Sequence, residues 1–106
     1  AREVEAVGQE EPLDVSALVI AFQSLLERLP PRPLVVVGNA WTLEDKVDVV
    51  QRRLTKGPFD LGELILECED RLEAVVTFVA LLELLRRGTI RVRQDEAFQS
   101  IWVEAA

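Results

Sequence analysis

Residues 70–93 read Asp70-Arg71-Leu72-Glu73-Ala74-Val75-Val76-Thr77-Phe78-Val79-Ala80-Leu81-Leu82-Glu83-Leu84-Leu85-Arg86-Arg87-Gly88-Thr89-Ile90-Arg91-Val92-Arg93, and two periodicities meet inside that stretch. As far as Leu85 apolar residues recur at helical spacing; after Gly88 the period falls to two, because Thr89-Ile90-Arg91-Val92-Arg93 alternates. Asp70 with Glu73 forms a capping box that opens a helix over Arg71–Arg87, and Gly88 stops it. A second alternating run, Ser100-Ile101-Trp102-Val103-Glu104, follows the polar connection Asp95-Glu96-Ala97-Phe98-Gln99. The two runs predict a β-hairpin, with Ile90, Val92, Ile101 and Val103 buried and Arg91, Arg93, Trp102 and Glu104 pointing away.

Working upstream, Asp60 with Glu63 reads as a second capping box, opening a short helix through Leu61, Leu64, Ile65 and Cys68. A further box, Thr42 with Asp45, begins a helix to about Thr55, with Leu43, Val47, Val50 and Leu54 on one face and Val49 at its edge. Lys56-Gly57-Pro58 ends that helix, and Trp41 stands before its cap, where an apolar residue packs back as a staple. Leu34-Val35-Val36-Val37, closed by Gly38-Asn39, predicts a strand leading into a turn. Pro30-Pro31-Arg32-Pro33 is the clearest internal boundary. Before it Leu18, Phe22, Leu25, Leu26 and Leu29 make one apolar stripe on a helix capped by Asp14 or Ser16, and residues 1–12 are an acidic arm. The fold class predicted is mainly α with a small β-hairpin (α+β). Residues 34–106 form a winged helix, and residues 1–33 an acidic arm plus an appended amphipathic helix.

Composition narrows the function. The 106 residues are 49% apolar and 29% charged, with net charge −7. A field of that sign repels phosphate backbones and suits a basic or apolar partner. No apolar run approaches the roughly 18 residues of a membrane span, and no signal-like segment opens the chain. The single cysteine permits no internal disulfide and points to a reducing compartment. The absence of methionine predicts a fragment, a processed chain or a tagged one. Without histidine, the commonest general base and metal ligand are both missing. Cys68 lies in Leu66-Glu67-Cys68-Glu69-Asp70, where carboxylates raise a thiol's pKa, so it reads as inert. No metal-ligand spacing, phosphate-cradling glycine loop or nucleophile–base pair is present, so neither an enzyme nor a cofactor or small-molecule site is expected.

The long helix carries more apolar surface than a small domain buries. Leu72, Val75, Val76, Phe78, Val79, Leu81, Leu82 and Leu85 cover about half of its circumference or more, against a stripe about 100° wide for a surface helix. The excess means either a central helix with neighbours on two sides or a part reserved for another protein. Three helices and a hairpin rarely bury both sides, so a protein partner is predicted. A DNA-reading helix instead presents Arg, Lys, Asn or Gln along its exposed N-terminal half. This one offers Arg71, Glu73, Ala74 and Thr77 there, while Arg86 and Arg87 at its far end suit the helix dipole. Arg91 and Arg93 on the wing are offset by Asp95 and Glu96. A DNA-binding winged-helix transcription regulator is the rival reading. Trp102, alternating with buried neighbours, faces outward, either as an interface anchor or folded over the wing or the first helix.

The pattern Arg71-Leu72-Glu73 … Val75-Val76-Thr77-Phe78 … Ala80-Leu81-Leu82-Glu83-Leu84, then Gly88 … Gln94-Asp95 … Phe98, closely resembles the C-terminal end of the bacterial segregation and condensation protein A (ScpA) family, the kleisins of SMC condensin complexes. Glu11-Pro12-Leu13-Asp14 and Leu43-Glu44-Asp45-Lys46-Val47 are similar more loosely, and Trp102 stands where a smaller apolar residue is expected of relatives. The resemblance implies a scaffold whose C-terminal winged helix binds an SMC ATPase head and whose middle region meets ScpB. It also implies a cytoplasmic, nucleoid-associated setting, with DNA met only through the complex and no membrane or small-molecule substrate. On this basis the expected head contacts are Phe78, Leu81, Leu85, Arg86, Arg91, Arg93, Phe98 and Trp102. The expected ScpB contacts are Leu18, Phe22, Leu25 and Leu29, unless the chain covers that stripe by packing on itself or by self-association.

Overall fold

The computed structural model of the chain describes residues 14–31, 41–96 and 100–106. Asp14 caps the first helix, α1 (Val15–Leu26), its carboxylate accepting from the backbone N–H of Ala17 at 2.8 Å. The apolar stripe carries this helix on to Leu29, yet it stops at Leu26. There the backbone tightens into i→i+3 bonds, from Arg28 to Leu25 and from Leu29 to Leu26, as the proline pair approaches. The predicted strand Leu34–Val37 and the boundary between residues 33 and 34 lie outside the described residues.

Thr42 and Asp45 form the expected capping box at the head of α2 (Leu43–Leu54), each side chain accepting from the other's backbone N–H at 3.0 Å. Gly57, at φ 114°, turns the chain into a two-residue strand, β1 (Phe59–Asp60), too short for an alternation pattern to reveal. Asp60 caps α3 (Leu61–Leu66) by accepting from Gly62 at 2.8 Å, but Glu63 turns to Arg53, 3.9 Å away, rather than completing a box. Asp70 caps α4 (Arg71–Arg87) through the N–H of Glu73 at 2.9 Å. Glu73 reaches back one residue further than a box requires, to the N–H of Glu69 at 2.7 Å. Gly88 adopts the left-handed conformation that ends α4, at φ 77°, as its position in the sequence demands.

Strands β2 (Ile90–Gln94) and β3 (Ile101–Ala105) pair antiparallel with Val92 opposite Val103 and Arg93 opposite Trp102. β1 pairs with β3 from the other side, giving a three-stranded sheet of order β1-β3-β2. Ile90, Val92, Ile101 and Val103 are all buried, as the alternation predicts. The α+β class therefore stands.

Helices α1, α2 and α3 and strand β2 all pack against α4, which holds the centre. Leu81, Leu84, Ile65, Val50 and Val103 are completely enclosed, each such side chain contributing roughly 1.5–3 kcal/mol by burial. Helix α1 shares this core. Phe22 stacks on Phe78 with ring centroids 4.0 Å apart and planes 3° from parallel, and Leu18 and Leu29 are buried beside them. The chain covers the α1 stripe by packing on itself. Two hydrogen bonds fix the exit from α1 onto α4: the backbone N–H of Arg71 donates to the Pro30 carbonyl at 2.9 Å, and its Nε to the Leu29 carbonyl at 2.8 Å. On the opposite flank Lys46, buried on α2, donates to Glu73 at 2.6 Å and lies 5.3 Å from the Trp41 ring centroid.

Candidate protein-binding surface

Helix α4 is apolar on more of its circumference than the core uses. Ala74, Thr77, Phe78, Leu81 and Leu84 face inward and are buried, at the spacing of three and four residues that one helix face requires. Leu72, Val75 and Val79 form a second stripe, 43%, 38% and 44% exposed. Leu43, at the head of the α2 helix that lies along α4, is a further exposed aliphatic. Thr77 tolerates burial because its hydroxyl donates to the Glu73 carbonyl at 2.8 Å. At the C-terminal end Arg86 and Arg87 both reach back to Glu83, at 2.7 and 2.8 Å, and together hold its carboxyl down to about 2, Arg86 contributing more.

The β2–β3 hairpin pairs its arginines with acids of its own. Arg91 stands directly across from Glu104 and donates to it at 2.6 Å, while Arg93 donates to the same carboxylate at 3.2 Å and to Asp95 at 2.7 Å. The Arg91 bond and, less strongly, the Arg93 bond push the Glu104 carboxyl below its usual range. Arg93 also lies over the Trp102 ring, 5.8 Å from its centroid. The acid that balances both wing arginines is thus a cross-strand partner. Asp95, anticipated as an offset, serves Arg93 alone.

The predicted contacts fall into three groups. Phe78 and Leu81 are interior, and so are Leu18, Phe22 and Leu29, so these side chains are held by the chain's own core and not offered to solvent. Leu85, Leu25, Arg93 and Trp102 are half-buried, while Arg86 and Arg91 are exposed. Phe98 lies outside the described residues. The residues absent from that prediction are Leu72, Val75 and Val79. Their signal was present in the excess width of the apolar band. Which of two parallel stripes turns inward depends on where α1 and α2 dock, and periodicity carries no such information. Cys68 is buried against Thr77 (Sγ to Oγ1 3.6 Å), and burial pushes its thiol up. A groove of about 850 Å³ runs between α1 and α3, lined by Ala17, Ile20, Ala21, Leu25 and Leu66, with Ile20 66% exposed.

The profile of the family described as segregation and condensation protein ScpA matches residues 3–106, nearly the whole chain. The chain belongs to the ScpA family. It is similar to the segregation and condensation protein A of Myxococcus xanthus, with 41% identity over 96 residues, covering 87% of this chain and 33% of that protein. It is also similar to that of Clostridium perfringens, with 40% identity over 67 residues, covering 62% of this chain and 27% of that protein. The Streptococcus sanguinis protein is 29% identical over 91 residues, covering 81% and 39% of the two chains. This ScpA-family chain therefore spans about a quarter to two-fifths of the length of these curated relatives. No solved structure matches it. Among its described residues no helix is long and apolar enough to cross a membrane.

Proposed function

We propose that the chain acts in chromosome segregation and condensation as a non-enzymatic scaffold, the C-terminal part of a kleisin whose winged helix binds an SMC ATPase head. Helix α2, β1, helices α3 and α4 and the β2–β3 hairpin follow one another in the order of a winged helix. The observation that carries the reading is the stripe Leu72, Val75 and Val79, left open on a helix whose other face already completes the core. Leu85 and Arg86 at one end of α4, and Arg91, Arg93 and Trp102 on the wing, extend the proposed head-binding face. Phe78 and Leu81 support it from beneath. The outer edge of β2, which among the described residues pairs only on its β3 side, adds backbone groups that a partner strand can bond. For ScpB, α1 offers Val15 and Ile20, both more than half exposed, while its inner stripe stays in the core.

The same geometry disfavours the DNA-binding reading. The open face of α4 is aliphatic, Arg86 and Arg87 share one glutamate, and Arg91 and Arg93 share another.

Co-purification of the chain with an isolated SMC head, and separately with ScpB, tests the proposal. Val79→Asp and Leu85→Asp are expected to abolish retention of the head, Val79→Asp with the melting temperature almost unchanged and Leu85→Asp with a modest loss, because Leu85 is half-buried against the core. Ile20→Asp is expected to affect ScpB alone. Retention of the head by both α4 variants would overturn the assigned face. A gel shift of duplex DNA, with a log–log salt slope of roughly −0.9 per neutralised phosphate, would favour the transcription-regulator reading instead.

A further inference from the structure

A second cleft, of about 670 Å³, opens where the C-terminal end of α2 meets β1 and the outer side of the wing. Its apolar part is made by Val49, Phe59 and Trp102, and its rim carries Arg52, Arg53 and Lys56. The three cations are not equivalent. Arg53 is committed to Glu67 by a two-pronged pair at 2.6 and 2.7 Å and lies 5.4 Å from the Phe59 ring centroid. Arg52 and Lys56 are exposed, and neither has an ion pair among the described residues.

Cations at a helix C-terminus are ordinarily explained by the unpaired carbonyls there. That explanation is weak here, because those carbonyls are already bonded. The Arg52 carbonyl accepts from the Thr55 hydroxyl at 2.6 Å, the Arg53 carbonyl from Lys56 N–H at 3.1 Å, and the Leu54 carbonyl from Gly57 N–H at 3.0 Å. Two cations without ion pairs among the described residues thus share a cleft with half-exposed Trp102, in a chain of net charge −7 whose Arg91 and Arg93 are paired with acids.

We infer that this cleft binds an acidic peptide segment of a partner protein, one aliphatic side chain seated against Trp102 and Val49 and flanking carboxylates paired with Arg52 and Lys56. The complementarity favours a peptide over nucleic acid. Two unpaired cations beside Glu63, which also lines the cleft, match one or two carboxylates next to an apolar anchor. A polyanion needs a row of cations, each worth roughly 0.9 in log–log salt slope, and the cleft has no such row. The inference rests on the protein-binding reading of the wing, but it concerns a site apart from the Leu72–Val79 stripe.

The test is fluorescence anisotropy of the full chain with a short fluorescein-labelled peptide in which one leucine is flanked by glutamates. Its companions carry glycine for the leucine or glutamine for the glutamates, and a labelled DNA duplex serves as the polyanion control. Binding of the first peptide alone is expected, with a roughly tenfold or greater loss in Arg52→Glu/Lys56→Glu and a comparable loss in Trp102→Ala. Both charge changes lie on the surface, so the fold survives them, as an unchanged far-ultraviolet circular dichroism spectrum checks. Loss of peptide binding in Arg52→Glu/Lys56→Glu with SMC-head retention intact supports this cleft as a site apart from the Leu72–Val79 stripe. Unchanged peptide binding in the double charge variant overturns the inference whatever the head does, as does equal binding of the glycine peptide or the duplex.

Discussion

The two faces of α4 are made of the same kinds of residue and have different tasks. Phe78, Leu81 and Leu84 are enclosed between α1, α2, α3 and β2, whereas Leu72, Val75 and Val79, one helical step around, meet water. An aliphatic side chain contributes to stability only where neighbours exclude solvent from it. The inner face therefore fixes the fold, and the outer face leaves apolar area open, the area that the proposed function gives to a second molecule. Hydrophobicity alone does not tell a core from an interface; the packing on the far side does.

The sharpest way to break this contrast is Phe78→Ala. It removes the ring on which Phe22 stacks and leaves a void at the junction of α1 and α4. The expected cost is about 3–5 kcal/mol in a urea or thermal melt. A loss below about 1 kcal/mol would mean that α1 is not part of the cooperative unit. Asp70→Ala deletes the cap of α4 while touching neither face, and should cost about 1 kcal/mol. Val79→Ser trims the open stripe, and its effect on stability should stay within about 0.5 kcal/mol even as partner binding falls.

The smallest expected effect comes from acid. Glu83 titrates at about 2 in the folded chain and near 4.5 when unfolded. Its pairing with Arg86 and Arg87 thus favours the fold above 4.5, and that contribution is lost as pH falls from there toward 2. Glu104 and Glu67, also held low by arginines, act in the same direction. Glu67 is exposed and Glu83 and Glu104 are half-buried at the surface, so the resulting decline in melting temperature should be slight and should shrink further in high salt.

Much of this architecture was legible in the sequence because its signals are local. The Thr42–Asp45 box, the glycine at 88 and the alternation of Ile90, Val92, Ile101 and Val103 each specify their own backbone within a few residues. What stayed hidden depends on distant partners. β1 is visible only through its pairing with Val103 and Trp102. Glu73 is spoken for by Lys46, far away in sequence, so it bonds Glu69 instead of closing its own box. The candidate surface was half legible: its presence followed from the breadth of the apolar band. Its side did not, because Phe78 and Val79 are adjacent and equally greasy, and only the docking of α1 separates them.

The Arg71 clasp on the Leu29 and Pro30 carbonyls has a mechanical consequence. A pull arriving from the chain ahead of α1 cannot peel that helix off alone, because its trailing end is anchored at the start of α4 and its middle is gripped by the Phe22–Phe78 stack. The load passes into the central helix, against which α2, α3 and β2 also pack.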